Sequence, residues 1–81
     1  MEKFILFDKR LSLLRKQAGI SQKQLGDVIG LSNKAICTME NRTRETTFEN
    51  LVLLAKYFHV STDYLLGVTD DPTWRGPEEE P

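Results

Sequence analysis

The chain has 81 residues, the length of one small domain, and its 40% hydrophobic content is enough for one compact helical core. Its single cysteine excludes a disulfide framework, and no apolar run approaches the ~20 residues of a membrane-spanning helix. The start, MEKFILF, is short and contains Glu2, so it does not resemble a signal peptide, and we expect a cytoplasmic protein.

The formal net charge of −1 is distributed unevenly along the chain. Residues 1–67 contain ten Lys or Arg and seven Asp or Glu, giving +3, whereas residues 68–81 contain one Arg and five acidic residues, giving −4. We therefore predict a mildly basic domain over residues 1–67 and an acidic, mobile tail over residues 68–81. Because it is the local field that attracts phosphate groups, the negative total does not exclude an anionic partner.

The first predicted helix runs from about Leu6 to Ala18, with inward residues at spacings of four, three and four. These inward residues are Phe7, Leu11, Leu14 and Ala18. Gly19 is placed to end the helix. Two interpretations of Phe4, Ile5 and Leu6 stay open: they extend this helix and fold back on the core, or they form an apolar patch for a partner.

Two short helices joined by a tight turn are predicted between Ser21 and Arg44. Helix 2, residues 22–29, places its apolar side chains on one face, and helix 3, residues 33–41, does the same. The predicted inner faces are Leu25, Val28 and Ile29 in helix 2 and Ile36 and Met39 in helix 3. Ser21 and Ser32 stand where a hydroxyl would cap the following helix.

The two glycines of this stretch have distinct predicted tasks. Gly30 falls between the helices, where helix 2 must end in a left-handed residue. Gly26 lies four residues earlier and leaves room for a second helix to cross closely over the first. Two helices joined by a short turn that contains glycine are typical of the helix-turn-helix.

Two more helices and an irregular segment complete the prediction. Thr47 is placed to cap helix 4, which ends near His59, a residue type that tolerates positive φ. The predicted inner stripe of helix 4 is Phe48, Leu51, Leu54, Ala55 and Phe58. Ser61 is placed to cap helix 5, residues 62–66, whose Tyr64 and Leu65 would close the core. Trp74 in the tail is either free in solvent or docked on a groove of its own or a neighbouring domain.

These motifs resemble the phage repressor and Cro-like (XRE-type) helix-turn-helix transcriptional regulators. The similarity rests on an ordered series of residues without gaps over roughly three quarters of the chain. The series comprises residues 7–11, residues 19–22, Gly26, Gly30, Ile36, residues 39–41 and residues 60–67. The resemblance implies an all-α bundle of five helices, of the phage-repressor DNA-binding domain type, with the helix-turn-helix at helices 2 and 3. Arg42, Thr46 and His59 depart from the family's usual Gly, Pro and Gly.

The resemblance implies a transcriptional regulator, and more specifically a repressor, that binds double-stranded DNA in a sequence-specific way. Helix 3 would lie in the major groove. The base-reading residues would be Asn33, Lys34 and Thr38, since Asn can bond adenine bidentately, Lys can donate to guanine, and the Thr methyl can contact thymine. The residues on the DNA backbone would be Gln22, Ser32, Asn41, Arg42, Thr43 and Arg44. Cys37 shares this face, and it is either a small half-buried residue or a redox-sensing thiol.

The resemblance also assigns a structural ion pair to Arg15 and Glu40, which would tie helix 1 to helix 3. Lys9 and Arg10 would be phosphate contacts at the rim or ordinary surface charges. One His, one Cys and no glycine-rich phosphate loop argue against an enzyme, a cofactor or a metal, and no small-molecule effector is evident.

The expected partner is a palindromic DNA operator bound by a homodimer, because one recognition helix reads only a few base pairs. The surfaces available for such a dimer would be helix 5 with Val60, Leu66 and Val68, or the segment from Phe4 to Leu6. The alternative function is a helix-turn-helix module that binds a protein, such as an antitoxin or adaptor. A protein-binding module would have no reason to keep the predicted phosphate contacts.

Overall fold

The computed structural model describes residues 6–41 and 46–74. Within these ranges the chain forms five α-helices and no strand, so the all-α prediction is confirmed. The helices are α1 (Phe7–Gln17), α2 (Gln22–Ile29), α3 (Asn33–Asn41), α4 (Phe48–Phe58) and α5 (Thr62–Leu66). The first helix is one residue shorter at each end than the sequence pattern predicted.

Hydroxyl groups cap the helices at the predicted positions. Ser21, Thr47 and Ser61 each accept a hydrogen bond from the backbone N–H three residues later, at 3.0, 3.1 and 2.9 Å. Gly30 ends α2 with φ 82°, and His59 ends α4 with φ 57°, both in the left-handed region. The positive φ predicted for His59 is therefore confirmed. These local signals fix where α2, α4 and α5 begin and where α2 and α4 end, whereas α1 begins without a side-chain cap.

The core lies where all five helices meet. Its fully buried members are Phe7, Leu11, Leu25, Ile36, Met39, Leu54, Ala55 and Leu65. Each helix contributes at least one of these side chains, so no helix can be removed without opening the core to water. Leu14, Ile29, Leu51 and Phe58 are partly buried against this cluster, as their helix phase predicts.

Three residues predicted to face inward do not. Ala18 follows the last residue of α1 and is exposed. Val28 is 61% exposed on the outer side of α2, and Phe48 is 89% exposed in the first turn of α4. The apolar spacing identified the buried face of each helix correctly, but these three residues lie at the edge or the end of that face. Whether a residue there is buried depends on how far the neighbouring helix extends.

Residues 68–74 pack on the domain instead of standing apart from it. Arg10 donates to the carbonyl oxygen of Thr69 at 3.2 Å and pairs with Asp70 at 2.8 Å. Pro72 O accepts from the N–H of Ser61 at 3.2 Å. The Trp74 ring stacks on His59, with ring centroids 5.3 Å apart, and packs against the core. Of the two interpretations of Trp74, the docked one describes the structure, and the groove belongs to the same domain.

The residue before α1 is also tied to the far end of the chain. The N–H of Leu6 donates to Leu66 O at 2.7 Å, and the Leu6 side chain lies against Gly67. Leu6 therefore packs on the end of α5, while Phe4 and Ile5 lie outside the described residues. Val60 is buried and Leu66 packs on the core, so Val68 is the exposed one of the three apolar residues named for the helix 5 surface.

Candidate nucleic-acid interface

The turn between α2 and α3 is held by backbone contacts. The N–H of Leu31 donates to Gly26 O at 2.8 Å, which folds the chain back over α2 directly after Gly30. A Cβ on Gly26 would collide with the carbonyl oxygen of Leu31. The close approach at Gly26 is therefore made by the turn backbone and not, as predicted, by a crossing helix. Only glycine fits there without moving the turn.

One face of α3 is fixed in the core and the opposite face is open. Ile36 and Met39 are buried, and the hydroxyl of Ser32 accepts from the N–H of Ala35 at 3.0 Å at the start of the helix. The polar side chains lie on the open side: Asn33, Lys34 and Asn41 are exposed, and Cys37 and Thr38 are half-buried. A helix held in this way presents a rigid polar row to whatever covers its outer face.

A carboxylate from α3 joins the first three helices. Glu40 Oε2 accepts from Arg15 Nε at 2.5 Å, and Glu40 Oε1 accepts from Arg15 Nη2 and from Gln22 Nε2, both at 3.1 Å. The side chains of Arg15 and Glu40 are only 13% and 6% exposed. The hydrogen bond and charge of Glu40 raise the pKa of Arg15, although burial works in the opposite direction. The ion pair that the resemblance implies is thus present, and the Gln22 amide adds a hydrogen bond to the same carboxylate.

The start of α2 carries a reciprocal cap that the sequence interpretation missed. Ser21 Oγ accepts from the N–H of Gln24 at 3.0 Å, while Gln24 Oε1 accepts from the N–H of Ser21 at 2.7 Å. The signal was present as Ser-x-x-Gln, the spacing of a capping box. This cap fixes the first turn of α2, which begins at Gln22.

Arg10 has neither of the roles considered for it. Its Nη1 donates to Tyr64 O at 2.9 Å, its Nη2 pairs with Asp70, and its guanidinium lies 4.2 Å from the centroid of the Tyr64 ring. Arg10 therefore fastens residues 64–70 to α1 and is neither a rim contact nor a free surface charge. Lys9, its neighbour, is exposed.

A family model described as helix-turn-helix matches residues 11–65, from the second turn of α1 to α5. The chain belongs to the helix-turn-helix family. The sequence resemblance to phage repressors is confirmed by relatives and by a solved structure of that type.

The curated relatives of this helix-turn-helix protein are named as regulators. The HTH-type transcriptional regulator YobD of Bacillus subtilis (strain 168) is 36% identical over 67 residues, which cover 83% of this chain and 60% of YobD. Repressor protein C2 of Salmonella phage P22 is 41% identical over 61 residues, which cover 75% of this chain and 28% of that repressor. The chain thus spans less than two thirds of the length of either relative.

A solved structure shares both the fold and the sequence pattern. The P22 c2 repressor, solved in complex with synthetic operator 9T, has a TM-score of 0.70 and 41% identity. The match covers 76% of this chain and 96% of that one. At this identity and coverage, the five-helix arrangement of the phage-repressor type is confirmed, with α2 and α3 as the helix-turn-helix.

The helix-turn-helix thus brings several of the predicted site residues together on α3, whereas the structure does not describe others. Ser32, Asn33, Lys34, Thr38 and Asn41 all belong to α3 or its cap. Arg42, Thr43 and Arg44 lie outside the described residues, and their expected backbone contacts stay predictions. The Asn41 amide donates to Cys37 Sγ at 3.4 Å, and Cys37 is not part of a disulfide.

The described part of the chain has neither a metal-binding cluster nor a membrane-spanning helix. No group of three or more His, Cys, Asp or Glu residues there is arranged to hold a metal ion. No helix among residues 6–41 and 46–74 has the length and apolar character needed to cross a membrane.

Proposed function

We propose that this chain is a transcriptional repressor module that binds double-stranded DNA with α3 in the major groove. One observation carries the proposal: a domain with the same fold, 41% identical, was solved in complex with a synthetic operator. The open polar face of α3 is consistent with that mode of binding. An α-helix fits the major groove of B-DNA, where each base pair has its own pattern of donors and acceptors.

The base-reading role is proposed for Asn33, Lys34 and Thr38. Asn33 and Lys34 are exposed in the first turn of α3, and neither side chain forms a hydrogen bond or ion pair with the described residues 6–41 and 46–74. Thr38 lies one turn further on and is half-buried. An amide can bond adenine N6 and N7, an ammonium can donate to guanine O6 and N7, and a methyl group can contact thymine.

The backbone role is proposed for the residues that flank both helices. Ser32 and Asn41 mark the two ends of α3, and Gln22 begins α2, where free N–H groups favour a phosphate. Gln22 donates its amide to Glu40, which holds the side chain in one orientation. Arg42 and Arg44 are proposed as the cationic contacts to phosphate, and Thr43 as a hydroxyl donor beside them.

The proposed module acts as a homodimer on a palindromic operator in the cytoplasm, without catalytic activity, cofactor or small-molecule effector. A single α3 can contact about four base pairs, since three or four side chains of one helix reach base edges. Two copies related by a twofold axis double that number and match a palindrome.

Selection of bound duplexes from a random DNA pool tests the proposal. The account predicts enrichment of one short palindrome, with half-sites separated by about one helical turn, ~10 base pairs. An Asn33→Ala variant should lose the enriched bases at one position of each half-site. If the folded wild-type protein enriches no sequence, the protein-binding alternative replaces DNA recognition.

A further inference from the structure

Helix α4 is apolar on both sides, although only one side is covered in the domain. Eight of its eleven residues, FENLVLLAKYF, are hydrophobic. Leu54 and Ala55 are buried, and Leu51 and Phe58 pack on the same core. The outer side nevertheless exposes Phe48 by 89%, Val52 by 47%, Leu53 by 38% and Tyr57 by 41%. Helices that are hydrophobic all round are normally buried on all sides.

The outer face of α4 has a definite layout. Glu49, Val52, Leu53 and Lys56 follow one another at spacings of three, one and three, which is one stripe along a helix. Phe48 and Tyr57 lie on the two edges of this stripe. We call these six residues the α4 outer face. Its centre is apolar, and its two charged residues, of opposite sign, lie near opposite ends of the helix.

We propose that the α4 outer face pairs with the same face of a second copy of this chain, with the two helices antiparallel across a twofold axis. The proposal rests on the homodimer of the proposed function and assigns its interface. The axis would pass at the midpoint between Val52 and Leu53. Residues equally far from that midpoint then face each other, so Glu49 of one copy meets Lys56 of the other at both ends of the seam.

Self-complementarity is what selects a second copy as the occupant. A twofold interface uses the same patch on both partners, so every charge needs its opposite within the same patch. Glu49 and Lys56 satisfy this requirement, whereas an apolar patch with charges of one sign would repel its own copy. Within the described residues, neither side chain belongs to an ion pair, so both charges are available to a second chain.

Burial of apolar side chains would supply most of the stability of the proposed dimer, because exposed ion pairs contribute little. Val52 and Leu53 would be removed from water at the centre of the seam, and the Phe48 and Tyr57 rings would cover its two edges. Aromatic anchors of this kind contribute a large share of interface energy. The surface suggested earlier, around helix 5, is less suitable because Val60 and Leu66 are already used by the core of the domain.

Sedimentation equilibrium of the free protein, without DNA, tests the pairing. Wild type should show a monomer–dimer equilibrium, and Glu49→Lys or Lys56→Glu should each raise the dissociation constant by about tenfold, because two attractive pairs become repulsive. A 1:1 mixture of the two variants should restore association, since each Lys then faces a Glu across the seam. Lys16→Glu, a reversal at an exposed position of α1, is the matched control and should change nothing.

Each outcome decides the proposal. Circular dichroism first shows that each variant folds, because both reversals also oppose the dipole of α4. A wild type that stays monomeric, single reversals without effect, or a mixture that associates no better than its components would each overturn the pairing. DNA selection with the monomeric variants separates the two claims: loss of dimer with retained half-site preference leaves the proposed function intact.

Discussion

Arg15 and Glu40 form a two-point ion pair between α1 and α3, with N–O distances of 2.5 and 3.1 Å. The same carboxylate accepts from Gln22, so the helix that faces DNA in our proposal is fixed to both helices beneath it. Because Glu40 raises the pKa of Arg15, the guanidinium is charged at every pH at which a protein of this kind is handled. The charge that Arg15 contributes to this contact therefore does not change with pH over that range.

Glu40→Ala should destabilise the domain by about 3 kcal/mol, because it leaves the largely buried guanidinium of Arg15 without its partner. Thermal unfolding followed by circular dichroism measures the loss. Asp27→Ala is the control, since the Lys23–Asp27 pair is exposed on both sides and its removal should cost no more than about 0.5 kcal/mol. A Glu40→Ala protein that melts like wild type but fails to bind DNA would place Glu40 at the interface instead.

Gly26→Ala should cost about 1–3 kcal/mol, because the added methyl group collides with Leu31 O and displaces the turn. Gly30→Ala should cost about 1 kcal/mol for its left-handed φ alone, since no atom within 4 Å meets the new methyl group. Urea unfolding of the two variants distinguishes steric from conformational cost. Gly30→Asn should recover part of the loss, whereas the same recovery at position 26 would contradict the steric explanation.

Trp74→Ala should lower the free energy of unfolding by about 1–2 kcal/mol, because it removes the stack on His59 and apolar contacts with the core. Chemical denaturation of wild type provides the measurement, and Trp74 is its own reporter as the single tryptophan. Its fluorescence transition should coincide with the loss of helix. A fluorescence signal that does not change until after the helices unfold, or does not change at all, would mean that the ring is not docked in solution.

Ending the chain after Trp74 should tighten binding to random DNA at low salt. This truncation removes Arg75 and three Glu, which changes the net charge from −1 to +1 without removing Asp70 or Trp74. The gain should decrease as added salt screens the charges. A longer deletion from residue 70 would also break the Arg10–Asp70 pair, so it serves as the comparison. If both truncations changed the free energy of unfolding equally, the contacts of Arg10 with Thr69 and Asp70 would not stabilise the domain as described.

Much of the fold followed from local signals. The serine and threonine caps, Gly30 and the apolar spacing within one helix, such as Phe7 and Leu11 in α1, are properties of a few consecutive residues. They indicate where a helix begins or ends and which of its faces is buried. The Arg15–Glu40 contact came from resemblance, because the partners are 25 positions apart and no periodic signal in the sequence links them.

What the sequence did not predict depends on the distant packing of the chain. The predicted inward position of Phe48 was wrong. The apolar spacing of α4 gives its buried face, but it does not show that the neighbouring helices leave the first turn uncovered. The fastening of residues 68–74 requires Arg10 and His59 to meet them in space, and an acidic segment without periodicity gives no sign of that. Gln24 is a different case: its capping-box spacing was visible and was missed.

The central claim is that α3 reads bases, and the ratio of affinities for the selected duplex and for random DNA tests it most directly. Asn33→Ala and Lys34→Ala should each cost about 1–3 kcal/mol on the selected duplex and much less on random DNA, because a base contact exists only on the right sequence. Arg44→Ala should weaken both by similar factors and lower the salt dependence by about one phosphate contact. Lys16→Ala on α1 is the unaffected control. An unchanged ratio in both Asn33→Ala and Lys34→Ala would contradict the account.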